Sequence, residues 1–167
     1  LHATILFLAA GVVAYSIAEV LRMQGTEVLI ISRITVVSSR SRDEGHFVLG
    51  PVTLAIGAML ALLLYPEPAA SIAIFALAFG DGFSSLVGKL FRSARIPLTG
   101  GKTVAGSGAC FFSVLIATLS VTGTPVPAVA IAIAATAFEA LPTQDLDNIL
   151  LPVGTGIVAL QLVPIVG

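Results

Sequence analysis

Charge is what this chain has least of. Lys and Arg number 8 and Asp and Glu 9 among 167 residues, 10% together, where a soluble domain carries about a quarter. Hydrophobic residues make up 57%, and the mean hydropathy is +1.07. A soluble core of this size has no room for so much apolar surface, whereas lipid accepts it. Cys110 is the single cysteine, which excludes an internal disulfide; it reads as a small apolar helix residue. The net charge of -1 leaves no basic face for nucleic acid. Residues 1–21 are apolar with neither a basic start nor an evident cleavage site, which fits a span rather than a signal peptide. Because the chain opens on Leu1, one or more upstream spans are expected to precede it.

What is present in abundance is long apolar runs. A spanning helix needs about 20 mainly apolar residues, and the candidates are 3–21, 47–65, 69–88, 104–122, 126–141 and 149–166. The expected fold is therefore all-α, a polytopic transmembrane bundle of about six spans forming a single catalytic domain over 1–167. The run 26–37, broken by Arg33, is expected to be an interfacial helix. The third run is apolar only to Phe79 and is expected to turn there into the active region. If the spans alternate, loops 22–46, 89–103 and 142–148 share one side. The first two hold every basic residue: Arg22, Arg33, Arg40, Arg42, Lys89, Arg92, Arg95 and Lys102. The opposite turns, 66–68 and 123–125, hold none, and the positive-inside rule then puts the charged side in the cytoplasm. Gly80, Ser84 and Gly88 recur every four residues, so they share a face that permits close helix approach and is compatible with a homo-oligomer.

The polar residues that remain fall into three groups. Asp81 follows an apolar run, and carboxylates within spans are rare, costing roughly 2.5–3.5 kcal/mol at a helix centre. Asp81 and Ser85 stand four residues apart, one helical face, where together they could hold magnesium or orient a phosphate. The run Gly100-Gly101-Lys102-Thr103-Val104-Ala105-Gly106-Ser107-Gly108 offers backbone N–H groups, the Lys102 charge and the Thr103 and Ser107 hydroxyls to phosphate. It is not a P-loop, because Ile96 stands where that motif needs its first glycine. Glu139, Asp145, Asp147 and Asn148 supply hard oxygen ligands of the kind Mg²⁺ takes; the alternative for Asp145 is a solvated or capping acid. Glu19 and Arg22, three apart on one face, are placed to pair with each other or, through Arg22, with a lipid phosphate. His46 is expected at the interface, since an isolated His is a poor metal signal.

In order, Glu19-Val-Leu-Arg22, Arg42-Asp-Glu-Gly45, Gly80-Asp81-Gly82-Phe83-Ser84-Ser85, Gly101-Lys102-Thr103-Val104-Ala105-Gly106-Ser107, Glu139 and Asp147-Asn148-Ile149-Leu150-Leu151-Pro152 resemble the polytopic lipid-alcohol kinases. That group holds the dolichol, phytol and CTP-dependent diacylglycerol kinases and is related to the phosphatidate cytidylyltransferases. The resemblance covers most of the chain; each motif alone is weak, and together they are fairly specific. It implies phosphoryl transfer from a nucleotide, CTP or ATP, to the hydroxyl of a lipid alcohol such as diacylglycerol, a polyprenol or phytol. By matching positions, Asp81, Lys102, Thr103, Ser107, Glu139, Asp147 and Asn148 would line the site. Asp81 and Asp147 are assigned to Mg²⁺ with Asn148 assisting. Lys102, Thr103 and Ser107, with Ser85 and Gly106, are assigned to the nucleotide phosphates, and Glu139 serves as metal ligand or as base for the alcohol proton. Two features depart from the family: Ala105 stands where a Glu is usual, and the upstream basic-His segment is missing. A cytidylyltransferase making a CDP-lipid is the nearest alternative. A transporter is disfavoured because the polar groups gather at one side rather than at the midplane.

Overall fold

The computed structural model describes residues 1–25, 46–91 and 93–164. The expected interfacial helix at 26–37, Arg33, Arg40, Arg42 with its Asp-Glu-Gly segment, Arg92 and the end of the sixth span lie outside the described residues.

Six helices form where the apolar runs predict them: α1 (His2–Met23), α2 (Gly50–Leu64), α3 (Ala69–Leu90), α4 (Val104–Thr122), α5 (Pro125–Glu139) and α6 (Asp147–Leu162). No strand occurs among the described residues, and the class is all-α, a helical bundle. By length and composition α1, α3 and α4 can each cross a membrane, while α2 and α5 are shorter apolar helices. Nonpolar side chains such as Phe7, Phe112 and Ile116 stand exposed on them, a distribution that suits lipid and not water. This is a membrane protein.

The third run forms one helix, as its expected span of 69–88 requires, and α3 ends at Leu90, widening to a π-helical stretch over Ala76–Asp81 before resuming as α-helix over Gly82–Leu90. A π turn accommodates an extra residue and rotates the phase of the helix beyond it.

Contacts group the chain into two units, Leu1–Ile56 and Gly57–Gly167. In the first, the expected Glu19–Arg22 pair forms. Arg22 donates through Nε to Glu19 Oε2 at 2.9 Å and through Nη2 to Oε1 at 2.7 Å. The buried Glu19 also accepts the Val48 N–H at 3.0 Å, and Tyr15 Oη donates to the Val48 carbonyl at 3.1 Å. The last turns of α1 thereby fix the backbone just ahead of α2.

The second unit is built on small residues. Ala61, Ala69, Ala73, Ala76, Ala132, Ala135 and Ala159 form its interior with Ile72, Val114, Ile131 and Leu151. Helices in lipid have no hydrophobic drive to associate, so close van der Waals contact between small side chains holds them. Gly154 lies against the Phe138 ring and Gly156 against the Tyr65 ring, where a Cβ would collide with the aromatic carbons. Tyr65 Oη donates to the Val153 carbonyl at 2.6 Å. In this unit α4 packs between α3 and α5, and α6 packs on α5 and on the first half of α3.

Candidate functional site

The loop between α3 and α4 is shaped to return Lys102 to the bundle. The Ile96 N–H donates to the Lys102 carbonyl at 2.9 Å and the Val104 N–H to the Ala94 carbonyl at 3.0 Å, clamping the loop by one isolated antiparallel bridge between Arg95 and Thr103. Gly100 and Gly101 close it with φ of +69° and +103°, the left-handed region that glycine enters without a Cβ penalty. Thr103 then caps α4, its Oγ1 accepting the Gly106 N–H at 3.1 Å.

Close helix approach does the rest. A Cβ on Gly106 would lie 2.8 Å from the Ser84 carbonyl oxygen, and one on Gly88 3.0 Å from Thr103 Oγ1. A Cβ on Gly80 would lie 3.1 Å from a Val114 methyl. The four-residue Gly80-Ser84-Gly88 face is thus the face α3 turns to α4, as its spacing predicts. Only with these glycines can Ser84 and Ser107 reach one target.

That target is Glu139, the last residue of α5 and 1% exposed. Ser84 Oγ donates to its Oε1 at 2.5 Å and Ser107 Oγ to its Oε2 at 3.0 Å. Lys102 Nζ stands 3.0 Å from Oε1 and 3.1 Å from Asp147 Oδ2. A carboxylate at a helix C-terminus meets the negative end of the dipole, so Glu139 depends on these donors. Asp147, in the first turn of α6, is at the favourable end, and its Oδ1 accepts the Asn148 N–H at 3.0 Å. Burial alone would lower the Lys102 pKa, but the charges and hydrogen bonds of Glu139 and Asp147 outweigh it and hold the ammonium above the ordinary lysine value of 10.5.

That shift gives a pH prediction. A group whose pKa is raised by folding stabilises fully below its unfolded value and loses that stabilisation as pH rises through the folded one. The gap in thermal midpoint between the wild type and Lys102→Met should therefore stay constant from neutrality to about pH 10 and narrow only above it. A gap that closes near neutrality would show that the ion pairs are not its source.

At Lys102 a cleft of about 160 Å³ opens, lined also by Ser84, Ser85, Gly88, Lys89, Gly101 and Thr103. Liquid water occupies about 30 Å³ per molecule, so the cleft has room for a phosphate-sized group.

The structure thus brings Lys102, Glu139, Asp147 and Ser107 together, with Ser85 and Thr103 on the adjoining cleft. Gly106 is a packing residue in this geometry: its N–H is taken by Thr103. Asn148 follows Asp147 and gives it a backbone donor. Asp81 closes the π stretch of α3, half-buried; the carboxylates paired with Lys102 are Glu139 and Asp147. Among the described residues Glu139, Asp145 and Asp147 do not converge as a three-carboxylate cluster, nor does any other three-residue set of His, Cys, Asp or Glu. In the sequence Ser84 reads as part of a packing face only. Its spacing gives its direction correctly, but nothing local marks Glu139, 55 positions away, as its acceptor. Ser93, whose Oγ accepts the Ala105 N–H at 3.0 Å and so secures the start of α4, carries no signal in the sequence.

No protein-family model matches the chain, and no solved structure matches it. Among curated proteins it is 29% identical, over 142 residues, to a Triticum aestivum protein named probable phytol kinase, chloroplastic. The match covers 74% of this chain and 47% of that protein, so the chain spans about half the length of the curated relative it matches. The chain is a distant, partial homologue of a protein named as a phytol kinase.

Proposed function

We propose that this chain is a multi-pass membrane phosphotransferase that moves the γ-phosphate of a nucleotide, CTP in our reading, to the hydroxyl of a lipid alcohol at the cytoplasmic face. The observation that carries the proposal is a lysine ammonium held between two buried carboxylates at the edge of a phosphate-sized cleft. The similarity to a named phytol kinase points the same way, and the placing of every basic residue in loops 22–46 and 89–103 favours the cytoplasmic side.

Phosphoryl transfer asks the protein for positioning and charge neutralisation more than for covalent chemistry. The alcohol oxygen attacks the γ-phosphorus, the bond from that phosphorus to the β–γ bridging oxygen breaks, and the nucleoside diphosphate leaves with the electron pair. Lys102, pre-aligned by Glu139 and Asp147, faces the phosphate; Ser85 and Thr103 line the cleft it would enter. Glu139 holds Lys102 in place, and it accepts the alcohol's proton only after one of its donors lets go, since both of its oxygens are engaged. Mg²⁺ would supply charge neutralisation between phosphates when bound. In this reading Asp147 and Asp81, with Asn148, would hold an ion of the kind that takes one or two protein carboxylates and leaves its other positions to water and phosphate, with Asp147 giving up the Lys102 or Asn148 contact that each of its oxygens now makes.

The test supplies protein and Mg²⁺ with CTP labelled at the γ- or the α-phosphate, together with lipid alcohols and phosphatidate. Label entering lipid from the γ position alone is the expected result, and the product names the alcohol. Label from the α position alone would replace the kinase with a cytidylyltransferase at the same site. Asp81→Asn is expected to abolish turnover while the protein remains folded in the membrane, as read by its thermal midpoint in nanodiscs. Full activity in that variant would remove Asp81 from the assignment.

A further inference from the structure

The seam between α3 and α4 has two unlike sides. Toward Glu139 it is glycine and serine. On its other side a groove of about 470 Å³ opens between the same helices, within the roughly 300–1,000 Å³ typical of small-molecule sites. Phe75, Phe79 and Phe83 line it from α3, with ring centroids 5.8 and 6.0 Å apart, and Phe112 and Ile116 line it from α4.

The order of residues gives the groove a direction. On α3 the polar cleft lies at Ser84, Ser85, Gly88 and Lys89, and the groove runs back from Val87 to Phe75. On α4 the cleft lies at Thr103, and the groove runs forward from Ala109 to Ser120. Both helices are long and apolar enough to cross a membrane. The end of the groove nearest the cleft is thus one residue from it on α3, at Val87, and six residues from it on α4, at Ala109, and from there the groove descends along the spans, covering about 16 Å of α4 at 1.5 Å per residue. Its polar atoms are already satisfied: Ser113 Oγ donates to the Ala109 carbonyl at 2.6 Å and Ser120 Oγ to the Ala117 carbonyl at 2.7 Å. A lining whose side-chain donors are both spent favours hydrocarbon and penalises a polar ligand. A second apolar groove, on α5 at Pro125, Val129 and Ile133, lacks this continuity: it occupies the end of α5 opposite Glu139 and is bounded by apolar residues and alanine alone.

We propose that the α3–α4 groove holds the hydrocarbon chain of the alcohol substrate, with the hydroxyl end at its Val87–Ala109 mouth beside the polar cleft. This rests on the kinase reading above, because that reading supplies an amphiphile whose reacting end must reach Lys102. The groove also explains why the Phe75-Phe79-Phe83 ladder occupies the face of α3 adjoining the one that carries Ser84.

The test is a photoreactive long-chain alcohol, with a diazirine in its chain, irradiated with the full chain in nanodiscs in the absence of nucleotide. Adducts are expected on Phe79, Phe83, Phe112 and Ile116 and are expected to disappear with excess unlabelled alcohol. Ser113→Trp, filling the groove, should cut the competed label about tenfold or more, the scale on which one misplaced group is felt in an apolar pocket. Ile116→Trp, at an exposed position, provides the same blockade if the first variant does not fold. Equal labelling by a diazirine phosphatidylcholine, with no competition by alcohol, would make the groove ordinary lipid-facing surface and overturn the inference. Competed adducts on another face would overturn it too. The readout requires no turnover, so competed groove labelling in a protein that transfers no phosphate would sustain the groove and defeat the kinase reading alone.

Discussion

Lys102→Met is expected to destabilise the protein by about 3–5 kcal/mol, the usual consequence of removing one partner from a buried ion pair. Glu139 is almost fully buried and sits at the wrong end of a helix dipole for a carboxylate. Two serine hydroxyls remain to it in the variant, but no compensating charge does. Turnover should fall by about 10²–10³-fold, the range seen when one electrostatic donor is removed from a reacting centre. A second substitution separates the two effects. Lys102→Met combined with Glu139→Gln removes both charges of the tighter pair, and stability should recover part of the loss, because the deepest carboxylate is no longer charged while Asp147 keeps only its Asn148 N–H and the helix N-terminus. Activity should not recover. A double variant as unstable as the single one would show that the ion pair is not what couples the two residues. Thermal midpoints in nanodiscs and the γ-label assay read both quantities.

Gly106→Ala is the second large effect, and it acts without touching a charged atom. The added methyl would meet the Ser84 carbonyl at 2.8 Å, and a backbone carbonyl inside a helix has little freedom to yield. Overpacking of this kind costs about 1–3 kcal/mol. Separating α3 from α4 also draws Ser84 and Ser107 off Glu139, and a displacement of about 1 Å at a reacting centre is enough for a loss near 100-fold. Gly108→Ala is the matched control. It lies in the same helix, its Cβ would meet nothing within 4 Å, and the substitution should be neutral or gain up to about 1 kcal/mol from helix propensity. Equal loss in both variants would mean that glycine flexibility, not close packing, is what the site needs.

The helices were legible because their cause is one-dimensional. A backbone in lipid must satisfy its hydrogen bonds within the segment, so each long apolar run becomes a helix, and the runs at 3–21 and 104–122 reappear as α1 and α4 within two residues at each end. Glu19 and Arg22 pair for the same kind of reason: a spacing of three residues on a helix is already a distance in space. The glycine face of α3 was legible too, since a four-residue repeat of small residues marks a face of close helix approach. The π-helical stretch over Ala76–Asp81 within α3 was not, because its residues read as an ordinary apolar run turning polar and carry no periodicity of their own.

By itself the sequence determined a membrane-embedded, all-helical chain, the positions of its helices, and a short roster of polar residues from which any chemistry must be drawn. Scarcity made that possible, because with so few charges each one in or beside a span stands out. The tertiary structure alone decided which of them meet. Lys102, Glu139 and Asp147 come from a loop, the end of one helix and the start of another, and no periodicity relates them. Their meeting depends on how closely α3, α4 and α5 pack, which is set by where a missing Cβ lets two backbones touch. The α3–α4 groove has the same origin. Its phenylalanines are ordinary lipid-facing residues in the sequence, and they line a groove only because α4 lies alongside them.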